Sequence, residues 1–107
     1  MIQRHWTCVA HPELADTYER HLRTEIFPRI AELQGFVSAT VLRREFNEGS
    51  AFRIVTEWTS LQAVRGFAGE DVEAAVVPDE VQAMMLRFDE RVAHYVVRER
   101  VEGEGEG

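Results

Sequence analysis

Apolar and polar side chains alternate over the first ten residues, and this pattern predicts a β-strand over residues 2–10. Because successive strand residues point to opposite faces, one face of this strand should carry Ile2, Arg4, Trp6, Cys8 and Ala10. The step His11-Pro12 ends the alternation, and proline is favoured at the first position of a helix. We therefore expect this strand to lead directly into a helix.

A long helix is predicted from Pro12 to about Leu33, because apolar residues recur there every three to four positions. This stripe consists of Leu14, Tyr18, Leu22, Ile26, Ile30 and Leu33. Pro28 lies inside the helix and has no backbone N–H, so we expect a kink or a break near Thr24–Phe27. Gly35 is expected to close the segment.

The next two stretches predict an antiparallel β-hairpin. Strands over Phe36–Phe46 and Ala51–Thr59 flank a turn of polar residues and glycine, Asn47–Ser50. One face of the second strand should carry Phe52, Ile54, Thr56 and Trp58. The stretch of residues 51–69 organises the rest of the chain, because this strand turns directly into a helix.

That helix is predicted over Thr59–Ala68 from apolar residues at helical spacing. Thr59 and Gln62 have the spacing of a capping box, and Gly69 suits the C-terminal cap. The aromatic side chain of Trp58 therefore lies at a strand-to-helix corner, a place where small α+β domains often open a pocket.

A third helix is predicted over Asp79–Arg91, and a last strand over Arg91–Arg100. The buried stripe of this helix would consist of Val81, Met84, Met85 and Phe88. Residues 102–107, EGEGEG, are charged and of low complexity, so we expect this tail to be disordered. Residues 1–101 are then expected to form a single domain.

The predicted order, β-α-β-β-α-β, is that of the split-βαβ, ferredoxin-like α+β fold. Its four antiparallel strands would carry the helices on one face. The other face is predicted to be apolar too, since the second strand has Phe36 and Leu42 on one side and Val37, Ala39 and Val41 on the other. An exposed apolar face favours a two-fold dimer, although a sheet face that is merely less polar than usual is the alternative.

Charge and cysteine content narrow the classes of function. The chain of 107 residues has a formal net charge of −7, which does not suit a protein that binds nucleic acid or an anionic membrane. Its single cysteine, Cys8, excludes an intrachain disulfide. No apolar run reaches the ~20 residues of a membrane span. We expect a cytoplasmic protein.

Several residue patterns resemble the antibiotic biosynthesis monooxygenase (ABM) domain family. They are F-x-I-V-T-E-W-T-S-L-Q-A-V-x-x-F over Phe52–Phe67, the step Gly35-Phe36 after a helix with Pro28, and the closing pair His94-Tyr95. Residues 67–95 are similar to the small stand-alone ABM proteins, and the resemblance covers residues 3–98. It implies a dimeric α+β barrel with a pocket between the helices and the sheet.

The same resemblance leaves the activity open. The family contains cofactor-free quinone-forming monooxygenases, haem-degrading oxygenases, isomerases and members with no assigned activity. The haem-degrading branch uses a histidine on the last helix as the iron ligand, and the helix predicted over Asp79–Arg91 contains none. Trp58 resembles the tryptophan in the pocket of that branch. Haem binding is therefore the least favoured hypothesis.

The residues themselves show no metal-ligand spacing, so neither metal nor cofactor is expected. The candidates that such a site would need are scattered along the chain as His5, His11, His21, His94 and the lone Cys8. An oxygenase without a cofactor needs a substrate that reacts with O2 once it is deprotonated, together with a base near neutral pH. His94 is the candidate base. Its alternative role is that of a hydrogen-bonded histidine in the core or in a dimer interface.

Five aromatic or basic groups are candidates to bind a flat aromatic substrate. Trp58, Trp6 and Tyr18 would stack on it, with core packing as the alternative. Tyr95 would donate a hydrogen bond to a developing oxyanion, unless it lies in the dimer interface. Arg43 would hold an anionic group, with a solvated strand end as the alternative.

Two hypotheses of different classes follow. The first is a dimeric monooxygenase that oxidises a small aromatic or polycyclic phenol without metal or flavin. The second is a non-catalytic or accessory dimer that binds a small hydrophobic or aromatic molecule. A catalyst should place a titratable group beside an apolar cavity, whereas a structural dimer should fill that cavity with side chains.

Overall fold

The computed structural model describes residues 1–105 as an α+β domain with one antiparallel sheet. The strands are β1 (Ile2–Ala10), β2 (Phe36–Glu45), β3 (Ser50–Trp58), β4 (Met85–Phe88) and β5 (Ala93–Val96). They lie in the order β2-β3-β1, and both β4 and β5 pair with the remaining edge of β1. The ferredoxin-like prediction is confirmed, with the fourth strand position divided between two short strands.

Within residues 1–105, four α-helices, one 3₁₀ turn and one π-helical turn cover one face of this sheet. The segments are a 3₁₀ turn (Pro12–Leu14), α1 (Ala15–His21), a π-helical turn (Leu22–Ile26), α2 (Phe27–Ile30), α3 (Leu61–Ala68) and α4 (Asp79–Gln82). No helix within residues 1–105 has the length and apolar character that a membrane span requires.

The break expected before Pro28 is confirmed as the π-helical turn. The N–H of Phe27 bonds the carbonyl of Leu22, five residues earlier. A proline at position 28 offers no N–H to the carbonyl four residues before it, and the wider turn accommodates that missing bond. The predicted end at Leu33 is wrong, because the last helical residue is Ile30 and a turn follows.

The caps of α3 are partly those expected. Gly69 ends the helix with a φ of 87°, and its N–H bonds the carbonyl of Arg65 at 2.9 Å, as predicted. The N-cap is Ser60 instead of Thr59: the Ser60 hydroxyl oxygen accepts from the N–H of Ala63 at 3.1 Å. Ser60 is the residue with extended backbone angles immediately before the first helical turn.

The predicted helix over Asp79–Arg91 is wrong beyond its first turn. Helix α4 ends at Gln82, and the chain then extends as β4, whose residues pair with Cys8–Ala10 of β1. This pairing satisfies backbone groups of β1 that a helix would leave without partners. The last strand is also shorter than the predicted Arg91–Arg100, since β5 covers Ala93–Val96.

A β-bulge at Val37 changes the predicted faces of β2. Phe36 pairs with Trp58, and Ser38, two residues later in β2, pairs with Glu57, only one residue away from Trp58 in β3. As a result Phe36 packs edge-on against the Trp58 ring, 5.5 Å between centroids, on the helix-covered face. The prediction that Phe36 and Leu42 share a face is therefore wrong.

The open face of the sheet is mixed in character. Leu42 and Tyr95 are half exposed there. Leu42 and three arginines, Arg44, Arg53 and Arg87, line a shallow hollow of about 410 Å³, and Tyr95 lies outside that lining. The open face is thus less apolar than the sequence predicts.

The core lies between the helices and the covered face of the sheet. Its largest fully buried side chains are those of Trp58, Tyr18 and Phe52. Residues 102–105 are exposed and form neither helix nor strand. The remainder of the predicted tail, Glu106 and Gly107, lies outside the described residues, and disorder of the whole tail stays a prediction.

Candidate functional site

An inner cavity of about 70 Å³ lies between the helical segment and the sheet. Its wall is mostly apolar: Tyr18, Leu22 and Ile26 contribute from the helical side, and Trp6, Ile54 and Val92 from the strands and their connections. A segment that includes Val76 and Pro78 closes one side. This is the pocket between helices and sheet that the ABM resemblance implies.

The π-helical turn shapes the helical wall of the cavity. Leu22 and Ile26, at the two ends of this turn, both line the cavity. A π-helical turn widens the helix locally and occurs frequently at functional sites. The position of Pro28 therefore influences the cavity, because the π-helical turn compensates for its missing N–H.

Arg4 is the charged side chain of the cavity wall. It lies on the covered face of β1 and is only 4% exposed. Its Nη1 donates to the carbonyl of Val72, and its Nη2 donates to the carbonyl of Ala74 at 2.8 Å. Its guanidinium carbon lies 5.4 Å from the centre of the Phe67 ring. Burial lowers the pKa of Arg4 to about 10, so the group is still a cation at neutral pH.

His94 lies directly opposite Arg4, because β5 pairs with β1 in that register. Its Nε2 is 3.1 Å from Nη1 of Arg4. A guanidinium only donates hydrogen bonds, so Nε2 accepts and the imidazole is neutral in this arrangement. Burial lowers the pKa of His94, and the positive charge of Arg4 lowers it further, while Glu73 acts in the opposite direction.

The candidate base thus faces the covered side of the sheet, in contact with a residue of the cavity wall. His94 is not among the residues that line the cavity, but it contacts Arg4, which is. The geometry joins the two side chains into one polar pair at the edge of an apolar cavity.

Trp58 is fully buried and lies behind the cavity wall. Its ring stacks on Phe67 at 5.7 Å, and its Nε1 donates to the Thr56 hydroxyl at 2.9 Å. Both Phe67 and Thr56 line the cavity, whereas Trp58 does not. Trp58 therefore supports the wall from the core in this structure.

Trp6 and Tyr18, by contrast, both line the cavity. Nε1 of Trp6 donates to the carbonyl of Asp89 at 2.7 Å, which fixes the ring. Tyr18 packs edge-on against Phe52 with 5.0 Å between centroids. Burial raises the pKa of Tyr18, and the neighbouring Cys8 thiol raises it further, so the phenol stays neutral.

The two remaining candidates lie away from this cavity. Tyr95 is 55% exposed on the open face, where its ring lies 4.9 Å from that of His5. Arg43 lies at an outer edge, and its guanidinium binds the carboxylates of Asp16 at 2.8 Å, Glu19 at 3.0 Å and Glu45 at 2.7 Å. The hydrogen bonds that Arg43 donates to these carboxylates, the one to Glu45 foremost, raise the pKa of Arg43.

Sequence reasoning missed Arg4 as a site residue, although a signal was present. Arg4 is the charged member of an otherwise largely apolar strand face, between Ile2 and Trp6. A charge at an inward position of a strand needs a polar partner. The partner, His94, is 90 positions away and emerges only from the pairing of β1 with β5.

Across residues 1–105, no group of three or more His, Cys, Asp or Glu side chains is arranged to hold a metal ion.

No family model matches the chain, and no curated protein matches it in sequence.

The solved structures that are similar to the chain in fold include the following two. One is a candidate antibiotic biosynthesis monooxygenase from Bacillus cereus, with a TM-score of 0.67 and 16% identity, covering 96% of both chains. The other is a candidate antibiotic biosynthesis monooxygenase from Deinococcus radiodurans, with a TM-score of 0.65 and 20% identity, covering 98% of this chain and all of the other. The likeness extends over nearly the whole chain and confirms the expected ABM fold.

Proposed function

We propose that this protein is a monooxygenase that oxidises a small aromatic phenol with O2 in the inner cavity, without metal or flavin. The observation that carries the proposal is the Arg4–His94 pair, a buried cation and a neutral imidazole 3.1 Å apart at an apolar cavity. The fold shared with two candidate ABM monooxygenases supports the same conclusion.

His94 is the proposed base. A phenol oxygen that enters the cavity replaces Nε2 of His94 as the acceptor for Nη1 of Arg4, which frees the imidazole lone pair to take the phenolic proton. The phenolate is then stabilised by the guanidinium. Lowering of the His94 pKa keeps the imidazole unprotonated at neutral pH, as a base requires.

The phenolate supplies the electrons for the reaction with O2. Transfer of one electron gives a phenoxyl radical and superoxide, and their combination at a ring carbon that bears hydrogen gives a peroxide anion. This anion takes the proton back from His94 and becomes a hydroperoxide. Loss of water from the hydroperoxide leaves a quinone, so that one oxygen atom enters the ring and the other leaves as water. The apolar cavity wall keeps bulk water from these intermediates.

The size of the cavity sets a condition on this chemistry. A cavity of about 150 Å³ holds one benzene ring in another protein, and the cavity here is about 70 Å³. An aromatic substrate therefore requires movement of a wall. The segment that includes Val76 and Pro78 is the proposed moving part, because it forms no helix or strand and Val76 is 46% exposed.

The test is oxygen uptake by the metal-free protein with a panel of anthrone- and naphthol-type phenols. Wild type is compared with His94→Ala and His94→Gln. The glutamine keeps an acceptor for Arg4 but is not a base, so it separates proton transfer from positioning of the guanidinium. We expect uptake in the wild type and its loss in both variants. Retained turnover in His94→Ala would exclude His94 as the base.

A non-catalytic protein that binds a small hydrophobic or aromatic molecule is the second candidate. The lining of the cavity favours it, because none of the described residues that line the cavity is a histidine or a carboxylate that could act as a base. Binding of an aromatic ligand without oxygen uptake for any phenol of the panel would support this second function.

A homodimer is part of both proposals. Leu42 and Tyr95 are 50% and 55% exposed on the open face, and a second copy packed against this face would cover them. The arginines that share the hollow with Leu42, namely Arg44, Arg53 and Arg87, would then lie inside or at the rim of the interface.

A further inference from the structure

We infer that the inner cavity selects aromatic ligands that carry a negatively charged oxygen, and that Arg4 binds this oxygen. The inference rests on the proposed function in that it concerns the same cavity and the same pair of residues. It goes further because it makes the negative charge of the ligand, on a phenolate or a carboxylate, the feature that the cavity selects, whether or not the ligand is oxidised.

Arg4 carries a buried charge, and within residues 1–105 no carboxylate is among its hydrogen-bond partners. Arg4 is 4% exposed, and the hydrogen bonds that its guanidinium makes within residues 1–105 go to two carbonyls and one imidazole. The nearby carboxylate of Glu73 is exposed and lies 3.5 Å from Arg91. A buried cation that lacks an anionic partner is unfavourable, and an anionic ligand would supply that partner.

Arg4 also retains hydrogen-bond donors that its contacts within residues 1–105 do not use. A guanidinium has five N–H groups. Three are engaged, by the carbonyl of Val72, the carbonyl of Ala74 and Nε2 of His94. The others, on Nε and Nη2, belong to a side chain that lines the cavity. Arg4 therefore has donors left for a ligand while it still holds the segment of Val72 and Ala74.

Arg43 provides an internal comparison. Its guanidinium binds three carboxylates, so its charge is already compensated. Both arginines also pack over a phenylalanine ring at 5.4 Å, Arg4 over Phe67 and Arg43 over Phe52. The two sites differ in the missing carboxylates at Arg4, and the ligand is proposed to take that place.

A phenolate and an aromatic carboxylate share the chemistry that Arg4 would recognise. The test therefore uses three single-ring probes of similar size: 4-nitrophenolate, 4-nitrobenzoate and the neutral ether 4-nitroanisole. Equilibrium dialysis against the full-length protein, at a pH where the nitrophenol is ionised, gives a dissociation constant for each probe. Single rings are chosen because the cavity is small.

We expect at least one anionic probe to bind the wild type about tenfold or more tightly than 4-nitroanisole, the range for a hydrogen bond to a charged group. Arg4→Gln should abolish this preference, Arg4→Lys should keep part of it, and Arg43→Gln should leave it unchanged. Preference for one anion over the other would identify the natural ligand as a phenolate or a carboxylate.

Equal binding of the anionic and neutral probes by the wild type would overturn the inference, as would the absence of measurable binding of all three. This comparison needs no variant, so it stands even where Arg4→Gln does not fold. A preference for anions that persists in Arg4→Gln would also overturn it, because another residue would then recognise the charge.

The outcome is independent of the oxygenase test. A preference for anions without oxygen uptake would reject the monooxygenase and keep the anion site. Oxygen uptake without a preference for anions would reject the anion site and keep the monooxygenase.

Discussion

Gly35 packs so closely against Ala63 that a Cβ atom at position 35 would lie 2.4 Å from Cβ of Ala63. The same atom would lie 2.8 Å from Oγ1 of Thr59. The backbone of Gly35 also has a φ of 87°, a region that favours glycine. This contact joins the turn between α2 and β2 to helix α3.

Gly35→Ala is therefore expected to lower the free energy of unfolding by more than about 2 kcal/mol, through backbone strain and displacement of α3. Gly66→Ala is the matched control. Gly66 lies within α3 and nothing is within 4 Å of a Cβ there, so alanine should stabilise by about 0.5–1 kcal/mol. Urea denaturation of both variants measures the two effects, and a similar effect at both glycines would contradict the packing argument.

Stability should decrease in mild acid because of His94. Burial and Arg4 lower its pKa in the folded state, so the unfolded chain takes up this proton at a higher pH than the folded protein does. The stabilising contribution of neutral His94 to the free energy of unfolding is complete above the pKa of about 6.5 in the unfolded chain. It is lost as the pH falls through the lower pKa of the folded protein.

Urea denaturation from about pH 8 to about pH 5 covers this window. His94→Gln should flatten the dependence of the unfolding free energy on pH. The pKa of His5 is also lowered, by burial and by Arg53. His5→Gln should therefore remove a further part of the loss of stability in mild acid. An unchanged slope in His94→Gln would show that other groups set the dependence.

The proposed dimer makes a prediction about Leu42. A carboxylate at this half-exposed position on the open face would be buried against the second copy, so Leu42→Glu should give a monomer in sedimentation velocity. Leu61→Glu, on α3 and 41% exposed, is the control and should stay dimeric. Dimers of unchanged affinity in Leu42→Glu would place the interface elsewhere.

The tail should contribute nothing to stability. Gly103 and Gly105 have no neighbour that a Cβ would meet within 4 Å, and residues 102–105 are exposed. Deleting residues 103–107 should therefore leave the melting temperature unchanged in a calorimetric scan. A clear decrease would mean that the tail packs on the domain.

The strands β1 and β3 could be predicted because one of their faces is buried, so burial and sequence alternate together. The break in the long helix was equally predictable, since Pro28 removes a donor at a known position. The structure of the region after Pro78 was not predictable in this way. The apolar spacing of Val81, Met84, Met85 and Phe88 suits one continuous helix as well as a short helix followed by a strand, and pairing with β1 decides between them.

The site was predicted in part for a related reason. Tyr18 and Trp6 line the cavity because they belong to apolar faces that the sequence shows. The contact of His94 with Arg4 depends on the register between β1 and β5, which joins distant parts of the chain. The bulge at Val37 also has no clear sequence signal, and it moves Phe36 to the covered face.

The division of the outer strand into β4 and β5 has a consequence for aggregation. Between them, the N–H of Asp89 bonds the carbonyl of Thr7 at 3.1 Å, and the N–H of Val92 bonds the carbonyl of Glu73 at 2.8 Å. These backbone groups therefore have partners within the domain. Each remaining stretch is four residues long. An edge this short offers a poor template for a strand of another chain, so this side of the sheet is protected against edge-to-edge assembly.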